Sequence, residues 1–386
     1  MALADSVTTF LSETKGKGML AVKNIKNGDI IMQEKPLVCC QFSWNAAYKY
    51  LACDHCLRSL ETTEENVRRL TGNPNISLPY PECCPTVIES HTKCNSCGIQ
   101  YCSKECQELA WKQYHMTLCV GSCGENPSHP LNMLNETWKQ MHYPPETTSI
   151  MLLARIIATV RQAEDKSMAM NTFMQFCHRT ENEEEEIAHK LLGEQFSSQL
   201  EILRELMGNA LYSDDVHHWL TPQGFRSLFA LVGTNGQGVA SSPLSQWVNN
   251  VANLNLSADQ RSTVDSFIDQ LYSDIEAVSG AFLDAEGSAL YLLQSSCNHD
   301  CEPNAEQTFP LGDSCLVLKA KRDISQGEEV CVSYLDECAL SRSRHSRQKI
   351  LRENYLFTCR CTKCLSQADN ESETSSDDDD AIDEDE

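Results

Sequence analysis

Long apolar runs are missing from this sequence: nowhere do about 18 uncharged apolar residues follow one another, as a helix crossing a bilayer would require. The first residues, Met1-Ala2-Leu3-Ala4-Asp5-Ser6, also lack the basic and then apolar order of a secretion signal. Both absences lead us to expect a soluble intracellular protein. Positive charge is scarce as well, with 31 Lys and Arg against 55 Asp and Glu and a formal net charge of −24. A phosphate backbone repels such a chain unless a local basic face intervenes, so direct nucleic-acid binding is disfavoured and basic protein partners are expected. Eleven of the carboxylates fall after Leu365, where there is no Lys or Arg, which leaves −13 of the −24 on the rest of the chain.

What is present in excess is cysteine. Twenty-one are spread over 386 residues, and many stand in short pairs, which in a reducing compartment favours metal over disulfides. Cys53-x-x-Cys56, Cys94-x-x-Cys97, Cys102-x-x-x-Cys106 and His115-x-x-x-Cys119 together make eight ligands, the number two tetrahedral zinc sites need. Between Cys56 and Cys94 lie 37 residues that include Cys83-Cys84, and His55 and His91 are alternative ligands. Further on, Cys359, Cys361 and Cys364 supply three thiols for a fourth ligand elsewhere.

Hydrophobic residues make up 41% of the chain, enough for one large core or two ordinary ones. Lys15-Gly16-Lys17-Gly18 reads as a glycine-loosened loop entering a strand, either simply flexible or able to let backbone approach a ligand. Asn27-Gly28 predicts a hairpin turn before Ile30-Ile31-Met32. The spacing Ala21, Ile25, Gly28, Asp29 returns as Ala320, Ile324, Gly327, Glu328, so two similar β-turn-β units bracket the chain, by common turn chemistry or by a deeper relation.

From Leu131 to about Met207 the pattern is helical, with Ile150, Leu153, Ala154, Ile157 and Val160 at three- and four-residue spacing behind Pro144-Pro145-Glu146. Glu183 to Glu186 suit the front of the next helix. Gly233-Thr234-Asn235-Gly236-Gln237-Gly238 lacks the Lys-Ser/Thr of a phosphate loop. Residues 241–280 read as a helical insertion. Ser341 to Arg352 reads as a basic helix with a solvated face, and a nucleic-acid role for it would show as affinity falling steeply with salt. Residues from Ser366 on are acidic and expected to be disordered.

Two stretches remain, Cys297-Asn298-His299-Asp300-Cys301-Glu302-Pro303-Asn304 and Gly327-Glu328-Glu329-Val330-Cys331-Val332-Ser333-Tyr334. The first carries side-chain donors and acceptors on a loop stiffened by proline, and the second is a turn entering a strand that ends on tyrosine, so together they could build a polar pocket. They resemble the paired signature of SET-domain lysine methyltransferases. With a cysteine-rich finger set inside that signature, the chain is similar to the family that combines SET and MYND domains, from roughly Lys15 to Leu365.

The resemblance implies an α+β protein: a β-rich SET fold with a knotted loop, an inserted MYND zinc finger, helical inserts and a post-SET zinc site. Only the resemblance licenses the knot, since knots are rare. It divides the chain into the N-terminal part of the SET domain (1–52), the finger with its insertion (53–119), a helical insert (120–224), the C-terminal part of the SET domain (225–336, with the insertion at about 241–280), the post-SET segment (337–365) and the acidic tail (366–386). Three Zn²⁺ ions follow: one on Cys53, Cys56, Cys102 and Cys106, one on Cys94, Cys97, His115 and Cys119, and one on Cys359, Cys361, Cys364 and Cys301.

S-adenosylmethionine is the implied cofactor, against Lys17, Gly18, Asn235, Asn298, His299, Tyr334 and Phe357. Tyr334 is the implied catalytic tyrosine, and Tyr355 a wall of the substrate channel. From the residues alone, a plain loop at Asn235 and core packing at Tyr355 and Phe357 account for those positions too. The expected activity is transfer of methyl to a lysine of a basic protein, a histone tail or another protein such as a ribosomal or cytosolic one, by a monomer in the cytoplasm or nucleus. The alternative is a non-enzymatic adaptor whose MYND finger binds proline-rich peptides.

Overall fold

Ile25 and Ile324 exchange both of their backbone hydrogen bonds, at 2.9 and 2.8 Å. Around that pair every bond has a mate: the Gly28 N–H reaches the Ala320 carbonyl at 2.9 Å and the Gly327 N–H reaches that of Ala21 at 2.8 Å. The amides of Ala320 and Ala21 complete the set, each 3.0 Å from the carbonyls of Asp29 and Glu328. The two similar units thus pair with each other about a local two-fold axis. Gly28 and Gly327 match as well, with φ of 86° and 83°, a conformation that a side chain would strain. The Asn27-Gly28 turn therefore does not join two strands of one hairpin; its arms pair across to the other unit.

The computed structural model describes residues 4–13, 15–124, 126–142, 149–182, 189–280 and 284–368. Around the twin units lie short antiparallel sheets. Val7–Ser12 and Gly16–Ala21 form a hairpin. Ile30–Glu34 pairs with Leu316–Ala320, which pairs with Ala305–Thr308. Val38–Gln41, Ala285–Leu290 and Gln237–Ser241 make a third sheet with Ala285–Leu290 central. Between them Cys331–Val332 runs parallel to Asn298–His299, while the Val330 N–H on its other side bonds the Met19 carbonyl at 2.8 Å. A strand held between two neighbours in this way sets the position of Tyr334, two residues beyond its end, which is half-buried. The core beneath is Met19, Ile31, Met32, Leu316, Leu318, Val330 and Val332, with Tyr291 and Ala289.

The helical part packs around Ile150–Gln162, which begins at a Ser149 cap. Pro144, Pro145 and Glu146, read as its start, and Glu183 to Glu186 lie outside the described residues. The spacing predicts one buried face; the structure also buries Leu152, Ile156 and Ala158, because strand Val38–Gln41, the finger and the other helices surround this one. Arg155 sits buried within it. Its guanidinium donates to the carbonyls of Cys39 (2.8 Å) and Asp54 (2.6 Å) and to the Tyr114 hydroxyl (3.0 Å), and pairs with the Asp54 carboxylate. One cation thereby joins SET strand, finger and helical insert.

The two insertions meet. Helix Thr63–Thr71, from residues 57–93, packs on Pro243–Ala252 and Ala258–Ser279 around Trp247, Val67, Leu70, Leu271 and Ile275. Bonds from Thr63 Oγ1 to the Pro243 carbonyl (3.1 Å), Trp247 Nε1 to that of Tyr80 (3.2 Å) and Asn250 Nδ2 to that of Cys83 (2.9 Å) fix the register. Neither insertion could bury its apolar side alone. The basic helix, Arg344–Tyr355, also differs from its reading: Arg347 and Gln348 point inward, 1% and 5% exposed.

Candidate functional site

The signature loops come together at Tyr334. Its N–H donates to His299 Nδ1 at 3.0 Å and its hydroxyl to the Cys297 carbonyl at 2.7 Å, so the ring is held at both ends. Tyr355 lies 4.8 Å away between ring centroids, His299 5.5 Å, and Phe357 6.2 Å with its ring edge-on at 88°. Burial pushes the Tyr334 pKa up, so it stays a neutral phenol at physiological pH. The Tyr355 hydroxyl is itself tied to the Tyr334 carbonyl at 3.3 Å.

His299 is 7% exposed, and both ring nitrogens are engaged. Since Nδ1 accepts from Tyr334, the proton of the neutral ring sits on Nε2, 3.4 Å from Cys301 Sγ. The imidazole therefore links the metal cluster to the tyrosine, and its side chain has no nitrogen left for a cofactor. The Asn298 amide donates to the Lys17 carbonyl (3.0 Å) and to Glu329 Oε1 (2.8 Å). Lys17 Nζ turns away to the Gln175 carbonyl (2.9 Å), and Asn235 donates to those of Cys177 (2.7 Å) and Leu231 (2.8 Å). The stretch after helix Lys166–Phe173 thus closes the side that joins Lys17 to Asn235. At Gly18 a Cβ would stand 2.2 Å from the Phe10 ring of the paired strand; packing within the hairpin already demands glycine there.

Sequence reasoning named Lys17, Asn298, His299, Tyr334, Tyr355 and Phe357, which the fold brings into one cluster, and Asn235, which it places at the edge. It read Asn304 only as one of the polar residues of the signature loop and gave Glu329 no role. Asn304, 3% exposed, accepts from the Cys331 N–H (2.9 Å) and donates to the Glu329 carbonyl (2.8 Å), which locks the two signature loops together. A polar residue after proline in the first loop was the available signal.

Three ligand sets have their donor atoms within 4.8 Å of one another: Cys53, Cys56, Cys102 and Cys106; Cys94, Cys97, His115 and Cys119; Cys301, Cys359, Cys361 and Cys364. Zinc–sulfur bonds of about 2.3 Å at tetrahedral angles place sulfurs roughly 3.8 Å apart. The Cys56–Cys102, Cys94–Cys119 and Cys301–Cys364 separations are 3.6, 3.9 and 3.6 Å, so the sets fit the ion. In the finger the helix from Lys104 widens to a π turn over Trp111–His115, which delivers His115 to its set. His55 and His91 belong to none of the three. At the third set Arg347 Nη2 lies 3.6 Å from Cys364 Sγ, and Gln348 clasps the backbone of Cys359 at 2.7 and 2.9 Å. Contact with Cys359 lowers the pKa of the Cys301 thiol, with His299 and Arg347 helping against the opposing effect of burial.

A separate cleft of about 1090 Å³ runs between the finger, the SET core and helix Lys166–Phe173. Val87, Leu109, Trp111, Met116 and Met168 line it, from 44% to 66% exposed, and none of the Tyr334 cluster does.

Residues 16–335 match the SET domain. The chain is 57% identical over 372 residues to the protein-lysine N-trimethyltransferase SMYD5 of Gallus gallus, covering 96% of this chain and 89% of that one. With the SMYD5 of Homo sapiens it shares 57% over 366 residues, covering 95% and 88%. The histone-lysine N-methyltransferase SMYD3 of Mus musculus is 23% identical over 363 residues, 94% of this chain and 62% of that one. The chain is a SET-domain protein. Within that family it belongs to the SMYD5 branch of the protein-lysine N-methyltransferases, whose methyl donor is S-adenosylmethionine.

The residues fit that donor. Asn298 and Asn235 both spend their N–H groups on acceptors of the chain, which leaves amide oxygens as the acceptors an α-ammonium group calls for.

Proposed function

We propose that this enzyme methylates a lysine of a basic protein, a histone tail or a ribosomal or cytosolic protein, and carries it to the trimethyl state named for its 57% identical relatives. It acts as a monomer in the cytoplasm or nucleus, where a reducing milieu suits clustered thiolates. The excess of negative charge, −24, supports a basic substrate.

When bound, S-adenosylmethionine supplies a methyl group on a positively charged sulfonium. Phe357, His299, Asn298 and Asn235, with the Lys17–Gly18 backbone, would hold it, His299 through its main chain. The chain must present a neutral amine to that methyl. A free lysine has a pKa of about 10.4, and a dry aromatic channel lowers it by disfavouring the ammonium. Tyr334 and Tyr355, half-buried and 4.8 Å apart, provide that wall, and their faces attract the methylated ammonium that results. Positioning is the main contribution of the protein. The two-ended tether of Tyr334, at 2.7 and 3.0 Å, carries the reading.

Its test is transfer of labelled methyl from S-adenosylmethionine to acid-extracted basic proteins, with the product lysine weighed by mass spectrometry. Tyr334→Phe should lower transfer by at least about 100-fold while donor binding stays within a few-fold. Undiminished transfer by that variant would refute the assignment. For the cleft beside the finger we propose a proline-rich segment of a partner, because exposed aromatic and aliphatic side chains in a groove are what a polyproline helix docks on.

A further inference from the structure

We propose that Glu329 is a positioning residue that fixes which way the Asn298 amide faces, so that its oxygen and not its nitrogen meets the α-ammonium group of the methyl donor. The inference rests on the assignment of S-adenosylmethionine to this site. Asn298 Nδ2 has two hydrogens and two acceptors, the Lys17 carbonyl at 3.0 Å and Glu329 Oε1 at 2.8 Å. Both acceptors are oxygens without a hydrogen. Turning the amide over would bring its oxygen against both, exchanging two hydrogen bonds for two repulsions, one of them with an ionised group. A neutral glutamine at 329 removes the charged half of that lock, since its own amide can donate to a turned Asn298, and leaves the Lys17 carbonyl alone to oppose the turn.

Glu329 is placed for this task by its backbone and by its second oxygen. Its carbonyl accepts from Asn304 (2.8 Å), and it bridges to Leu20 of the glycine strand. Oε2 holds Lys15 Nζ at 2.7 Å, so one carboxylate spans the signature loop and the entrance to that strand. The Lys15 side chain is 54% exposed, so the ion pair itself adds little stability and orientation is the larger effect.

The experiment uses the full zinc-loaded chain and calorimetry with two ligands, S-adenosylhomocysteine and its analogue lacking the α-amino group. The unsubstituted protein should prefer the first by about 10-fold or more. Glu329→Gln should weaken S-adenosylhomocysteine about 10- to 100-fold and shrink that preference to within about threefold, with zinc content and unfolding temperature unmoved. Glu329→Asp, which keeps an acceptor that cannot donate, should restore part of the preference. Lys15→Met should leave the preference in place. A Glu329→Gln protein that keeps the full preference overturns the proposal, as does an equal loss of preference in Lys15→Met. Failure of the unsubstituted protein to bind S-adenosylhomocysteine would instead remove the cofactor assignment beneath it.

Discussion

His299→Leu removes two contacts and little volume, and its effect can be worked from the geometry. The substitution takes the acceptor 3.0 Å from the Tyr334 amide and the donor 3.4 Å from Cys301 Sγ. Tyr334 is half-buried, but its N–H points at the buried His299 ring and is left without a partner there, at a cost of about 1–3 kcal/mol. Felt as misplacement of the tyrosine in the transition state, that range is roughly a 5- to 150-fold fall in kcat. Donor KM should hold steady, because the Asn298 and Lys17 contacts remain. His299→Asn is the discriminating partner: its amide oxygen can stand near the lost Nδ1 and accept from Tyr334, while the bond to the Cys301 thiolate is gone. Steady-state transfer of labelled methyl to basic proteins, with zinc content measured by atomic absorption, reads both. We expect His299→Asn to recover most of kcat. Equal losses in the two variants, or kcat within twofold of the unsubstituted enzyme in His299→Leu, would refute the link between this imidazole and the tyrosine.

Arg155→Met strands the Asp54 carboxylate between three parts of the fold and should cost about 3–5 kcal/mol in chemical denaturation, with much of it returned by adding Asp54→Asn. Trp247→Ala empties the centre of the paired insertions, fully buried at 0% exposure; a loss of about 3–5 kcal/mol is expected, and limited proteolysis should cut residues 57–93 and 241–280 together rather than one alone. Cys364→Ser opens the cluster that braces Tyr334, so bound zinc and methyl transfer should fall together, whereas Cys97→Ser should lose an ion yet leave transfer to a short lysine peptide within a few-fold. Trp111→Ala should abolish calorimetric binding of a proline-rich peptide and leave transfer to that short lysine peptide unchanged.

The parts of this molecule that could be read from its sequence are those whose partners sit close together or repeat. Cys94 and Cys97 announce a metal site because three residues of separation already point two sulfurs one way, and the signature loops announce a fold because their residue types recur at fixed spacing. The similar spacing around Ile25 and Ile324 was visible too, but not its meaning: nothing in either unit says that each completes the other's hydrogen bonds across some 300 positions. The same gap hid the pairing of the insertions and the inward turn of Arg347, whose neighbours in sequence all suit a wet helix face. It hid Glu329 for a different reason. A Gly-Glu-Glu turn explains itself as surface chemistry, and the second carboxylate gains its role only when the Cys331–Val332 strand brings it against Asn298 and Lys15.

That strand placement explains why Tyr334 and the thiolate cluster are coupled at all. The Cys331–Val332 strand leaves Tyr334 beside His299, and His299 stands two residues before Cys301 in the loop that strand runs along. Any force that holds the thiolates of Cys301, Cys359, Cys361 and Cys364 together therefore fixes the imidazole, and through it the tyrosine amide. The post-SET segment also supplies Tyr355 and Phe357, so the segment whose thiols hold His299 also sets the aromatic rings packed against Tyr334. A zinc ion with no open coordination position can in this way decide the rate of a reaction it never touches.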